Sequence, residues 1–175
     1  MPTAELIRSA IRDIPDFPKP GIIFRDITPV LADAELFQHS ISMICETAGT
    51  VKIDKVVGID ARGFIFAAAV ADRIGAGFVP VRKEGKLPWT TRGLSYTLEY
   101  GEAAVEIHED AIQPGEKVLL VDDLLATGGT ASAAVKLLDG LRADLIAATF
   151  LIELTGLGGR EKLGNHRIES IISYH

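Results

Sequence analysis

Val118-Leu-Leu-Val-Asp-Asp-Leu-Leu-Ala-Thr-Gly-Gly-Thr130 is the stretch from which the fold is read. A short apolar run of strand length ends in two adjacent carboxylates, Asp122 and Asp123. A turn of small residues follows, Ala126-Thr127-Gly128-Gly129-Thr130, and a helix is predicted over 131–141. In open α/β sheets, ligands bind outside the carboxyl ends of the strands. Backbone N–H groups at a helix N-terminus bind anions, and glycine lets a phosphate approach the main chain. Thr127 and Thr130 add hydroxyl donors. The lysine of a GxxxxGK[ST] loop is missing, and GxGxxG is not present either. Two carboxylates directly before the turn would repel a polyphosphate. They suit sugar hydroxyls, which donate hydrogen bonds to them, with one phosphate seated in the turn. The chemistry is that of a ribose 5-phosphate. The competing reading is a glycine-rich connection capped by threonine, with Asp122 and Asp123 as solvated turn residues.

Working outward, the same rhythm recurs. Strands are predicted over 56–59, 78–81, 117–121 and 145–152, and an alanine-rich helix over 64–74. Short continuous apolar strands alternating with helices indicate an α/β fold, with a central, mostly parallel sheet covered on both faces. Toward the N-terminus, Thr3 can cap a helix that places Leu6, Ile7, Ala10, Ile11 and Ile14 on one face and stops at Pro15. A second helix is predicted from about Asp33, burying Leu36, Phe37, Ile41, Ile44 and Cys45. Between Arg82 and Gly93 lies a charged, glycine-containing stretch without apolar period, read as a loop. A β-hairpin follows, from Leu94 to Tyr100 and from Ala103 to Ile107, around Gly101-Glu102.

Composition limits the function classes. With 175 residues the chain suits one compact domain, able to bury about 70% of its unfolded surface without disulfide or metal. Hydrophobic residues at 47% and charged residues at 24% exclude a disordered chain. A net charge of −6 argues against nucleic-acid and anionic-membrane partners, which need a basic face. No apolar run approaches the roughly 20 residues that span a bilayer, and no signal peptide is seen. The single cysteine, Cys45, fits a reducing compartment, so a cytoplasmic location is expected. Four scattered histidines and one cysteine give no zinc spacing, so no metal site made by protein ligands is expected.

The segment 118–130 resembles the PRPP-binding signature of the type I phosphoribosyltransferases. Further segments are similar to those of the adenine-using branch: Pro20-Gly-Ile-Ile-Phe-Arg-Asp-Ile-Thr-Pro29, Gly58-Ile-Asp-Ala-Arg-Gly-Phe64, Arg82-Lys-Glu-Gly-Lys-Leu-Pro88, Ser95-Tyr-Thr-Leu-Glu-Tyr-Gly101 and Glu153-Leu-Thr155. The resemblance runs in order from about Pro15 to Leu163. It implies the type I phosphoribosyltransferase fold in a single domain over 1–175. A hood and base-recognition segment would occupy about 15–30, and a flexible loop and hairpin lid about 82–107. It also implies transfer of the phosphoribosyl group from PRPP to N9 of adenine, giving AMP and pyrophosphate in purine salvage, with Mg2+ held mainly by PRPP and water, and a homodimer.

The resemblance further implies site roles. Asp122 and Asp123 hold the ribose hydroxyls, and Ala126, Thr127, Gly128, Gly129 and Thr130 bind the 5′-phosphate. Ala61 and Arg62, with a non-proline cis peptide expected at Ala61-Arg62, belong to a pyrophosphate loop. Arg82, Lys83 and Lys86 add pyrophosphate contacts. Main-chain groups around Ile23, Phe24 and Arg25 read the purine edge, the Phe24 ring stacks on the base, and Leu124 packs nearby. Glu99 is the catalytic residue, exchanging a proton with the base. On pattern alone, Phe24 is a core aromatic, Arg62 an exposed turn arginine, Arg82 to Lys86 a solvated loop, and Glu99 an outward-facing acid. Three rivals remain at this point: an enzyme for another purine, a PRPP-sensing regulator, and a flavodoxin-type nucleotide module. A regulator usually adds a DNA-binding domain and a basic face, and neither is evident here. The flavodoxin-type module gives no reason for Asp122-Asp123 together with Leu98-Glu99-Tyr100. Trp89 and Arg92 receive no role.

Overall fold

The computed structural model describes residues 3–98 and 101–175. The chain divides into two compact units, one through Met43 and one from Ile44 onward.

The larger unit carries a seven-stranded sheet. Its elements run β3 (Lys55–Ile59), α4 (Gly63–Ile74), β4 (Gly77–Lys83), β5 (Thr91–Leu98), β6 (Gly101–His108), β7 (Lys117–Leu125), α5 (Gly129–Gly140), β8 (Asp144–Leu154) and β9 (Ile168–Tyr174). The strand order is β5-β6-β4-β3-β7-β8-β9. β3, β4, β7, β8 and β9 pair in parallel, and the β5–β6 hairpin joins β4 antiparallel. Val118, Leu119, Leu120 and Val121 are all fully buried. Consecutive strand residues point to opposite faces, so both faces of β7 are covered. This explains why β7 reads as a continuous apolar run rather than an alternating one. Each such side chain contributes about 1.5–3 kcal/mol on burial.

The sheet extends further than the apolar runs indicate. β7 continues past Val121 to Leu125, because Asp122, Leu124 and Leu125 pair with Phe150, Ile152 and Glu153 of β8. The two acids therefore lie on the ladder itself, not beyond its end. Arg82 and Lys83 pair with Glu106 and Val105, and Gly93 pairs with Glu106, so the strands take up both ends of the expected 82–93 loop. β9, in a segment without an obvious pattern, closes one edge of the sheet.

The N-terminal unit holds α1 (Thr3–Ala10), β1 (Arg12–Pro15), β2 (Ile23–Asp26), α2 (Thr28–Ala32) and most of α3 (Ala34–Glu46). The first helix ends at Ala10, not at Pro15. Residues 12–15 instead form an antiparallel ladder with 23–26. Opposite charges face each other across it, Arg12 with Asp26 at 3.0 Å and Arg25 with Asp13. Strand pairing thus overrides the helical spacing of Ile11 and Ile14. Asp26 also accepts the Thr28 N–H at 2.9 Å and hydroxyl at 2.7 Å, which starts α2. These bonds, the N–H first, hold the Asp26 carboxyl below its ordinary range. α3 starts where the sequence predicts, next to Asp33, which caps it by accepting from the N–H groups of Glu35 and Leu36. Among the described residues no helix is long and apolar enough to cross a membrane.

Candidate active site

The carboxyl ends of β3 and β7 and the start of α5 enclose a cleft of about 410 Å³. It gathers most of the residues singled out in the sequence: Ala61, Arg62, Lys83, Asp122, Asp123, Leu124 and Ala126 to Thr130. Ile59 and Asp60, which the sequence did not suggest, also line it.

The two acids are held differently. Asp122 lies against the first residue of α4: a Cβ at Gly63 would come within 2.6 Å of its Oδ1. Only glycine leaves room there, so Gly63 is a site residue of the positioning kind. Burial pushes the Asp122 carboxyl well above the ordinary range, and the charge of Asp123 adds to this. The Asp123 N–H donated to Asp122 Oδ1 at 2.9 Å and the nearby Arg62 guanidinium work the other way. Asp123 is buried and accepts a hydrogen bond from Arg62 Nε at 2.5 Å. Arg62 therefore serves the acid pair as its counter-charge.

The turn itself is an uncapped helix start. Gly128 sits at φ 80° ahead of α5, and no side chain caps this helix. The first intrahelical bond runs from Ser132 N–H to Gly128 carbonyl at 2.8 Å, so the preceding N–H groups have no helical acceptor. Such groups bind an anion well. The turn leans on a neighbour absent from the expected set. A Cβ at Gly128 would meet Gly159 O at 2.5 Å, and one at Gly159 would overlap Ala126 O. Gly159 belongs to the β8–β9 connection. Next to it, Arg160 pairs with buried Glu153 at 2.5 Å and donates to the Ile168 carbonyl at 2.8 Å. The Gly158-Gly159 dipeptide was the available sequence signal for this close approach.

A profile of the phosphoribosyl transferase domain matches residues 30–170. The adenine phosphoribosyltransferase of Acidothermus cellulolyticus is 53% identical over 168 residues, covering 96% of this chain and 95% of its own length. The chain belongs to the adenine phosphoribosyltransferase family. A solved family structure, from Thermoanaerobacter pseudethanolicus, superposes with a TM-score of 0.94 at 51% identity, covering 98% of this chain and 99% of its own. The Saccharomyces cerevisiae family member, solved with adenine and an imino-altritol bisphosphate, gives 0.92 at 41% identity, covering 97% and 98%. The fold is the type I phosphoribosyltransferase fold.

Two further residues that the phosphoribosyltransferase resemblance singles out, Arg82 and Lys86, do not line the cleft. Arg82 Nε pairs with Asp60 at 3.1 Å, and its guanidinium lies 5.9 Å from the Phe64 ring centroid. Lys86 is exposed in the turn after β4, where its carbonyl accepts from Arg82 at 3.5 Å. Ile23, Phe24 and Arg25 form β2 of the N-terminal unit, with Phe24 edge-on to Phe17 at 5.2 Å. Glu99 lies outside the described residues. The non-proline cis peptide is Asp60-Ala61, one bond before the expected Ala61-Arg62. β3 keeps contact with β4 through Asp60, whose N–H donates to Val81 O at 2.9 Å, so the chain changes direction immediately after it. Arg92, left without a role by sequence, donates to the Gly140 carbonyl at 2.6 Å and so binds the end of α5. Among the described residues no three Asp, Glu, His or Cys side chains group as a metal cage. Two carboxylates beside a phosphate turn are nevertheless a donor set that suits magnesium, which commonly takes one or two carboxylates plus substrate oxygens and water.

Proposed function

We propose that this chain makes AMP and pyrophosphate from adenine and PRPP, and that the cleft of β3, β7 and α5 is where the phosphoribosyl group is held. One observation carries the proposal: paired carboxylates and an uncapped glycine turn line the same cleft, together with two cations, Arg62 and Lys83. In this reading Asp122 and Asp123 accept hydrogen bonds from the ribose 2′- and 3′-hydroxyls. The N–H groups of 126–130 and the hydroxyls of Thr127 and Thr130 take the 5′-phosphate. Fixing both ends of the sugar presents C1′ to the base in one orientation, which lowers the entropic part of the barrier.

As the bond to pyrophosphate loosens, positive charge grows on the ribose, as in glycosyl transfer generally. Asp122 and Asp123 stabilise that charge in a site with little water. Negative charge grows on the leaving group, toward which Arg62, Lys83 and the main chain at Ala61 are assigned, with Arg82 and Lys86 completing the cationic set. Arg62 is engaged with Asp123. Ribose hydroxyls supply Asp123 with new donors and leave the guanidinium able to turn to the pyrophosphate. Asp122 and Asp123 would be the carboxylates at hand for magnesium, which would be held mainly by PRPP and water and would supply positive charge against the phosphates.

Adenine recognition is assigned to the main chain of Ile23–Arg25, stacking to Phe24, packing to Leu124, and proton exchange with the base to Glu99. The hood at 15–30, the hairpin lid within 82–107, a homodimer and a cytoplasmic location complete the reading; a single cysteine suits that compartment.

The test is a PRPP-dependent assay of nucleotide formation with adenine, hypoxanthine and guanine offered separately. AMP formation with at least 100-fold preference for adenine is expected. A 6-oxopurine reverses the donor and acceptor at positions 1 and 6, leaving buried polar groups unpaired, which is strongly rejected. Equal use of hypoxanthine would overturn the assignment of the base.

A further inference from the structure

The Thr130 hydroxyl donates to the Tyr96 hydroxyl at 2.9 Å. Tyr96 is in β5, opposite Ala103 of β6, and its ring lies directly on the phosphate turn: a Cβ at Gly129 would be 3.2 Å from Tyr96 Cδ2. Four residues earlier in the same strand, Arg92 holds the last carbonyl of α5 at 2.6 Å. Arg92, Leu94 and Tyr96 alternate along the strand and so share a face. Leu94 and Tyr96 both pack on the main core. One strand is thus fastened to both ends of one helix, at its anion-binding start by Tyr96 and at its finish by Arg92.

A threonine hydroxyl has a single proton. In the structure that proton goes to the Tyr96 oxygen. A phosphate offers only acceptors, and a phosphate in the turn draws the same proton. We propose that Tyr96 is a positioning residue for the phosphate turn, and that its hydroxyl reverses role when the turn is occupied. Tyr96 then donates to Thr130 Oγ1, and Thr130 donates to the phosphate. The two bonds point the same way and polarise each other toward the anion. Tyr96 strengthens phosphate binding without touching the phosphate. It also ties occupancy of the turn to strand β5, three residues before Glu99 in the chain. The inference rests on the assignment of the turn to the 5′-phosphate.

Tyr96→Phe keeps the ring on Gly129 and removes only the hydroxyl. Binding of ribose 5-phosphate is measured by calorimetry for wild type, Tyr96→Phe, Thr130→Ala, Thr130→Ser and the Tyr96→Phe/Thr130→Ala double variant, with thermal unfolding of each as a check on folding. Tyr96→Phe is expected to weaken binding about five- to tenfold. It is expected to do so again beside Thr130→Ser, and to change binding less than twofold beside Thr130→Ala, where there is no hydroxyl to act through. Wild-type affinity in Tyr96→Phe, or the same loss whether residue 130 is threonine or alanine, overturns the inference while leaving the phosphate turn intact. Wild type that fails to bind ribose 5-phosphate at millimolar concentration overturns both.

Discussion

At Asp122 a requirement of the ligand opposes a requirement of the fold. The carboxyl is packed against Gly63 and beside Asp123, and its loss of hydration and that neighbouring charge both disfavour its ionised form. An acid raised in the folded state binds more protons folded than unfolded at any pH between its two pKa values. Stability therefore falls as pH rises through that window, starting near the ordinary aspartate value of about 3.9. An asparagine in its place would occupy the same volume without charge. Asp122→Asn is thus expected to stabilise the unliganded protein by about 1 kcal/mol at pH 8 and by much less at pH 4, while weakening AMP binding at least tenfold. Thermal unfolding at the two pH values and AMP titration check both halves. An asparagine variant no more stable than wild type at pH 8 would show that Arg62 already balances the pair. The pairing of these acids and their place before a glycine turn were legible in the sequence. Their unequal environments were not, because those depend on Gly63 and Arg62, which arrive from another βα turn.

Among the elements, those buried on both faces were the most legible. β3, β7 and β8 read as apolar runs because neither face meets water, β4 reads as one although Phe78 is exposed, and α4 and α5 start within two residues of their predicted positions. β1, β2 and β9 escaped because short or edge strands mix polar and apolar residues: Ile168–Tyr174 contains Glu169, Ser170 and Ser173. The unrecognised β9 connection matters for the site, since Gly159 within it supports the phosphate turn. Gly159 has an ordinary helical φ of −62°, so alanine is conformationally acceptable there and the constraint is space alone. Gly159→Ala forces its Cβ onto Ala126 O, a main-chain atom that can yield only by moving the turn. The expected cost is about 1–3 kcal/mol of stability with a tenfold or larger rise in the KM for PRPP. Gly156→Ala, three residues earlier and with nothing within 4 Å, should change neither. Steady-state kinetics and thermal unfolding of the pair decide it: equal behaviour would mean that the turn does not depend on this contact.

For the molecule as a whole, the charge balance poses the problem of how an acidic protein binds an anion. With a net charge of −6, long-range attraction cannot bring a phosphate to this chain. Affinity must come from local geometry: uncapped N–H groups, two threonine hydroxyls and acids that accept the sugar. Each part acts only in the folded protein, so a ligand that uses all of them stabilises the native state. At a hundred times its Kd, AMP should contribute about 2.7 kcal/mol, and a chain of this size gains about 2–4 °C per kcal/mol, giving a shift of about 5–11 °C. Adenosine keeps the base and the sugar hydroxyls but leaves the turn empty, so at equal concentration its shift should be smaller by more than half. Ribose 5-phosphate keeps the sugar and the phosphate and should retain a clear shift. Scanning the three ligands side by side isolates the contribution of residues 126–130. A shift for adenosine equal to that for AMP would mean that the glycine turn takes no phosphate, and that binding resides in the base and the acid pair alone.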